Sequence, residues 1–274
     1  MDTRFWGPSG WHLLHLIAAN PRPATREWIE LLEYVLPCKY CRASFHDYLR
    51  IQPLTDSIVK DRKQLSRWLY DIHNRVNAKL RGQGLLTTKD PSWASVWAQY
   101  STQPCERPML GWDFLTSIAY STPASSYVAT PMPNTPETDE KMDLATKNRY
   151  NLLTRQERIK KLCRWWSLIP SILPCASWRR AWTSASSLRV PLSEGREAVM
   201  RWMWRVEEAV CADLKCPTPH PSLPALKHEV SVFESNCGKE RGKTCRTRKH
   251  RLRRQLLTRR RERALVHRTL GLDT

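Results

Sequence analysis

The sequence predicts an all-α protein built as two successive helical bundles and a basic tail. Three observations carry that reading: apolar residues recur at three- and four-residue steps almost throughout, strand signals are nearly absent, and the apolar and tryptophan pattern of the first part returns further along. The elements follow in order. Pro8 is expected to open a first helix carrying Trp11, Leu14, His15 and Ala18 along one stripe. Thr25 is expected to cap a second, with Trp28, Leu31, Leu32 and Val35 buried. Pro37 fits the first position of a third, which places Cys38 and Cys41 in its opening turn. A fourth presents Leu65, Trp68, Leu69, Ile72, Val76 and Leu80, and a short fifth after Pro91 presents Trp93, Val96, Trp97 and Tyr100.

The second part repeats the first in weakened form. The run from Gly10 to Ala18 has an echo from Gly111 to Ala119, Val35-Leu36-Pro37-Cys38 returns as Ile172-Leu173-Pro174-Cys175, and Arg67-Trp68-Leu69 returns as Arg201-Trp202-Met203. The polar residues do not return. Where the first copy has His15, Cys41, His73, Asn74 and Asn77, the second has Thr116, Trp178, Glu207, Glu208 and Cys211, so it should pack or dock rather than bind the same ligand. The expected division is residues 1–104, residues 105–216 and a flexible tail over residues 217–274, with a loop rich in Ser, Thr and Pro from Ser121 to Met142.

Composition narrows the function classes. No apolar run reaches the roughly 18 residues of a transmembrane helix, and Phe5-Trp6-Gly7-Pro8 arrives too soon for a signal peptide, so neither is expected. The formal net charge of +19 is concentrated: from Lys239 to the end, fourteen Lys or Arg stand against three acids, which suits nucleic acid or an anionic surface as partner. Nine cysteines leave at least one without an intrachain partner, and with no secretory signal redox chemistry is the economical alternative to a disulfide scaffold.

Two cysteines three residues apart in a helix's first turn share a face, where the positive end of the helix dipole favours a thiolate, the nucleophile of thiol–disulfide exchange. Zinc ligation with His46 or His73, a thioredoxin-like site and a structural disulfide remain open alternatives. None explains the neighbouring helices, where His73, Asn74 and Asn77 lie within one turn and Trp11 and His15 occupy the first helix.

The combination Trp6-Gly7-Pro8, Trp11, Leu14-His15, Ala18, Cys38-x-x-Cys41, Phe45 and His73-Asn74-x-Val76-Asn77 resembles the FAD-linked sulfhydryl oxidases of the Erv/ALR type over about residues 5–100, most of all those of large DNA viruses. The resemblance implies a four- or five-helix bundle holding FAD beside the Cys pair, followed here by a degenerate second bundle. It makes Cys41 the flavin-facing thiolate and Cys38 the interchange thiol, and it puts Trp11, His15, Phe45, His73, Asn74, Val76 and Asn77 around FAD, with Trp97 or Tyr100 over the adenine. Gly82 stands where the family commonly has a basic residue, which leaves Lys79 or Arg81 for the phosphates; Asn20-Pro21 replaces its Tyr-Pro, and Cys105 lacks an obvious partner. The implied reaction oxidises dithiol protein substrates and passes electrons to O2 as hydrogen peroxide, with Cys237 and Cys245, or Cys211 and Cys216, as candidate shuttle cysteines. A viral setting implies host cytoplasm or virion and leaves room for a homodimer. The rival from another class is a basic virion or nucleic-acid-associated protein that keeps an oxidase-like scaffold.

Overall fold

The structure, a computed structural model, describes residues 1–101, 108–137, 142–186 and 189–234. Cys105, Cys237, Cys245 and the basic run from Lys239 onward, on which several expectations rest, lie outside the described residues. Among the described residues all regular elements are helical. No described helix is long and apolar enough to cross a membrane.

The first unit begins with α1 (Thr3–Ala19), which starts earlier than Pro8 suggests. Buried Asp2 caps it by accepting from the Arg4 N–H at 2.9 Å, and Pro8 sits inside, where it forfeits one intrahelical bond. Burial of Phe5 and Trp6 ahead of the proline explains why the helix extends that far. The second expected helix divides at Leu31 into α2 (Thr25–Glu30) and α3 (Leu32–Val35), with Trp28, Leu31, Leu32 and Val35 buried as expected. Then come α4 (Lys39–Ile51), α5 (Asp56–Lys60), α6 (Arg62–Gly82) and α7 (Trp93–Ser101). Leu65, Trp68, Leu69 and Ile72 of α6 are buried, but the same stripe continues through Val76 and Leu80 onto a cavity rather than into the core.

The second unit consists of α8 (Trp112–Tyr120), α9 (Leu144–Arg149), α10 (Arg155–Ile172), α11 (Ala176–Ala185), α12 (Arg196–Asp213) and α13 (Leu223–Val232). Its core is continuous with that of the first unit. Positions paired by the sequence echoes meet each other across the contact. Gly10 of α1 lies against Phe114 of α8, and Gly111, just ahead of α8, lies against Leu13; since Leu13 and Phe114 are themselves equivalent, the contact has the reciprocal form that a two-fold axis produces. Trp28 stacks on its equivalent, Trp165, with centroids 5.1 Å apart, and Glu27 pairs with its equivalent, Arg164. Even a local device is copied: Arg42 Nη1 donates to Leu36 O at 2.8 Å, and Arg179 Nη1 donates to Leu173 O at the same distance.

The tail expected from residue 217 does not begin there. Ser222 caps α13, Pro224 fits its first turn, and Leu226, Val230 and Phe233 are fully buried. Phe233 stacks on Phe5 at 4.8 Å, and its carbonyl accepts from the Asp2 N–H at 2.9 Å, so this helix ties the chain back to its own start. Ahead of it, buried His220 packs on Glu207, the position equivalent to His73: its N–H and Nδ1 approach Glu207 Oε1 at 3.0 and 2.8 Å, and Nε2 lies 3.4 Å from Glu229. Burial alone would lower the His220 pKa, but the hydrogen bonds and charges of the two glutamates raise it to about 9. The place that holds polar, ligand-suited residues in the first unit is thus filled in the second by the chain's own segment.

Candidate functional site

The geometry of the site starts at the head of α4. Cys38 is the N-cap, with extended backbone (φ −121°, ψ 126°), and its carbonyl accepts from the N–H groups of both Cys41 and Arg42 at 3.0 Å. Pro37 therefore precedes the cap instead of occupying the first helical position, and Cys41 stands third in the helix. Pro37 confines Leu36 to an extended conformation (φ −50°, ψ 136°), which ends α3 and swings the chain into the new helix.

Cys38 and Cys41 are in the dithiol form, with Cys38 buried at 3% exposure and Cys41 partly exposed. A hydrogen bond with Cys38, burial and the Cys38 charge push the Cys41 pKa well above the ordinary thiol value, while Lys79 pulls the other way. In this redox state the shared proton and desolvation oppose the stabilisation that the helix end offers a thiolate at Cys41.

Both sulfur-bearing residues open on a cavity of about 1120 Å³ walled by α1, α4, α6 and α7. Its volume lies above the roughly 300–1,000 Å³ usual for small-molecule sites. Trp11, His15, Phe45, His73, Asn74, Val76 and Asn77 all line it, so the structure gathers every ring and amide residue expected around the ligand except one. Trp97 is the exception: it faces Trp93 at 5.8 Å and the Arg62 guanidinium at 5.3 Å, and Val96 and Tyr100 take the cavity side of α7. Helical spacing explains this, since residue 97 lies on a different face from residues 96 and 100.

The walls are aromatic and the polar groups are held. Trp11 stacks on His73 with centroids 3.9 Å apart and planes 10° from parallel, and His15 stacks on Tyr100 at 5.0 Å. His15 Nε2 and His73 Nδ1 are 3.1 Å apart, close enough to share a proton. Burial, reinforced by the charges of His73 and His12, lowers the His15 pKa to about 3, and burial lowers that of His73 to about 4 despite nearby Asp90. Both rings are therefore neutral near pH 7. Asn77 Nδ2 donates to Asp90 Oδ1 at 2.7 Å, and Asp90 also binds Arg81, which keeps Arg81 away from the cavity lining. Of the two cations expected to meet phosphates, Lys79 lines the cavity, donating to Ser44 Oγ at 2.6 Å.

Several members carried little signal in the sequence. His12 is fixed by the Tyr100 hydroxyl at 2.6 Å, and Asp90 orients Asn77 from a turn thirteen residues later. Pro133 reaches the cavity from the second unit; its loop is held where Thr130 O accepts from Asn151 Nδ2 at 2.8 Å and from Lys39 Nζ at 3.4 Å. A helical periodicity cannot reveal a contact made by an irregular segment. Among the described residues no group of three or more His, Cys, Asp or Glu could hold a metal ion.

The lining suits a large, flat, anionic ligand. It contains Lys79, and Arg4 paired with Asp2 at 3.1 Å, but no Asp or Glu, and the indole Nε1 of Trp6 is buried without a hydrogen-bond partner. Stacked rings on one wall and fixed amide and imidazole groups on another can grip a conjugated ring system by its face and edge.

Comparison with known proteins bears on the same stretch. The pattern of the Erv1 / Alr family matches residues 8–98. The chain is 38% identical over 85 residues to a probable FAD-linked sulfhydryl oxidase of Acanthamoeba polyphaga mimivirus, covering 28% of this chain and 59% of that protein. It is 33% identical over 88 residues to the mitochondrial FAD-linked sulfhydryl oxidase of Saccharomyces cerevisiae, covering 29% and 45%. To an FAD-linked sulfhydryl oxidase of African swine fever virus (isolate Tick/Malawi/Lil 20-1/1983) it is 32% identical over 83 residues, covering 27% and 67%. The chain thus spans about half the length of the first two and two thirds of the third. No solved structure matches it. The matched stretch holds both cysteines together with Trp11, His15, Phe45, His73, Asn74 and Asn77, and by it the chain belongs to the Erv1 / Alr family.

Proposed function

We propose that this protein is an FAD-dependent thiol oxidase that forms disulfides in partner proteins through Cys38 and Cys41. The observation that carries the reading is the dithiol at the head of α4 opening directly onto a large aromatic cavity that lacks carboxylates. Trp11 and His73 would hold the flat ring of FAD, Asn74 and Asn77 its polar edge, and Lys79 its phosphates. When bound, FAD supplies the two-electron acceptor for the dithiol and hands the pair to O2, giving hydrogen peroxide.

The chain's own residues account for the thiol half of the reaction. In the disulfide form, a substrate thiolate attacks the Cys38 sulfur and expels Cys41 as thiolate; the substrate's second thiolate then displaces Cys38, leaving an oxidised substrate and the Cys38–Cys41 dithiol. The low exposure of Cys38 makes access a condition of the first step. Lys39, next in sequence, donates to Thr130 O at 3.4 Å, which sets the loop over residues 121–137 beside the cysteine pair. The neutral His15 and His73 leave the cavity's charge chiefly to Lys79, because the Arg4 guanidinium at its rim is paired with Asp2 at 3.1 Å; a cation in the lining suits a diphosphate.

We place residues 1–104 as the oxidase unit and the segment from residue 105 through α13 as a degenerate copy; the basic run beyond would meet an anionic partner. Relatives from large DNA viruses favour a viral setting, in host cytoplasm or virion. The test is flavin absorbance of the purified full chain after incubation with FAD, together with oxygen uptake on adding dithiothreitol. Bound flavin with dithiol-dependent uptake is expected; a chain that retains no flavin would overturn the proposal.

A further inference from the structure

The end of α12 holds a second cysteine pair that the thiol chemistry above does not use. An i, i+5 pair in continuous helix points in different directions, but here the helix is not continuous between the two residues. Leu214 is the C-cap, Lys215 turns into the left-handed region at φ 52°, and the Cys216 N–H returns to the Cys211 carbonyl at 2.9 Å while the Lys215 N–H bonds Ala212 O at 3.1 Å. That is a Schellman closure, whose two ends are brought side by side. Cys211 and Cys216 are those ends, and each thiol is close enough to influence the ionisation of the other.

We propose that Cys211 and Cys216 form a structural disulfide, distinct from that of Cys175, which staples the end of α12 to the segment carrying His220. Cys211 is 1% exposed and Cys216 is partly exposed, which fixes the order of events. The Cys216 thiolate attacks one sulfur of a small-molecule disulfide and releases one thiol; the Cys211 thiolate then attacks the Cys216 sulfur and releases the second. Two protein thiols lose two electrons and two protons, and one small disulfide becomes two thiols.

The surroundings favour a staple over a rapid electron relay. Burial raises both thiol pKa values, and at Cys211 the neighbouring Cys216 and Glu207 raise it further. Thiols of raised pKa are poor leaving groups, so the closed bond resists reduction. What it would fasten matters: from Cys216 the chain runs to His220, seated on Glu207, and then to α13, whose Phe233 holds the start of α1 beside the cavity.

The experiment uses the full chain with Cys38→Ser and Cys41→Ser, so that its outcome is independent of the oxidase reading. After equilibration with oxidised glutathione, remaining thiols are alkylated and the protein is cut with trypsin, which cleaves between Lys215 and Cys216. The expected products are the two flanking peptides joined through Cys211 and Cys216, together with a dithiothreitol-induced fall in melting temperature several degrees larger than the one reduction of the Cys175 disulfide causes by itself. Adding Cys211→Ser and Cys216→Ser should remove both the joined peptides and the additional fall. Glutathione retained on Cys216, or alkylation of both cysteines, would overturn the proposal.

Discussion

The two cysteines at the head of α4 differ in surroundings more than their spacing suggests: Cys38 is a buried cap, and Cys41 is a helical residue facing the cavity. Because Cys41 lines the cavity without closing it, Cys41→Ser should abolish dithiol oxidation while flavin stays bound, measured by oxygen uptake and flavin absorbance on the same sample. Full turnover by that variant would exclude the assigned role. His73 is different, since its ring is both a stacking face for Trp11 and a partner for His15. Its replacement by Ala should weaken flavin retention by about tenfold, roughly 1.4 kcal/mol, with the fold intact by circular dichroism. Unchanged retention would remove His73 from the site.

At the scale of elements, two backbone positions decide how helices meet and end. Gly111 sits at φ 99°, and a Cβ there would stand 2.6 Å from Leu13 Cδ2, so α8 approaches α1 this closely only because the side chain is missing. Gly111→Ala should cost about 2 kcal/mol or more, read from the urea midpoint, through strain and overpacking together. Lys215 presents the opposite case, an L-residue in the left-handed region that closes the Schellman turn. Lys215→Gly should stabilise by about 1 kcal/mol in the same assay, relieving a conformation that costs an L-residue roughly 1–2 kcal/mol. A loss of stability there would mean that the Lys215 side chain holds the turn by other contacts.

For the whole molecule, the buried histidines set a pH window. His15 and His73 have folded pKa values of about 3 and 4, below the unfolded value, so their contribution is complete above pH 6.5 and declines as the pH falls towards those values. His220, raised to about 9 chiefly by its glutamates, contributes fully below pH 6.5 and loses that contribution as the pH rises through about 9. Each slope is bounded by about 1.4 kcal/mol per pH unit and histidine. Stability should peak near pH 6.5, with the acid arm steeper because two groups share it; denaturation midpoints between about pH 5 and pH 9 check this. The His220→Gln variant should flatten the alkaline arm alone. A profile without a maximum in that range would contradict the burial of these rings.

The sequence by itself determined the helical class, the echoed apolar pattern and the grouping of Cys38, Cys41, Trp11, His15, His73, Asn74 and Asn77, because helical periodicity and short motifs are local and survive without knowledge of packing. It placed Trp97 in the cavity and began the tail at residue 217, and in both cases only tertiary structure could decide. Which face of a short helix is buried depends on what packs against it, and α13 becomes part of the core because Phe5, His220 and Glu207 are there to receive it. The same reason covers Pro133 at the cavity and the reciprocal contact of Gly10 with Phe114 and Gly111 with Leu13: these are meetings of residues far apart in the chain, and burial of shared apolar surface selects them.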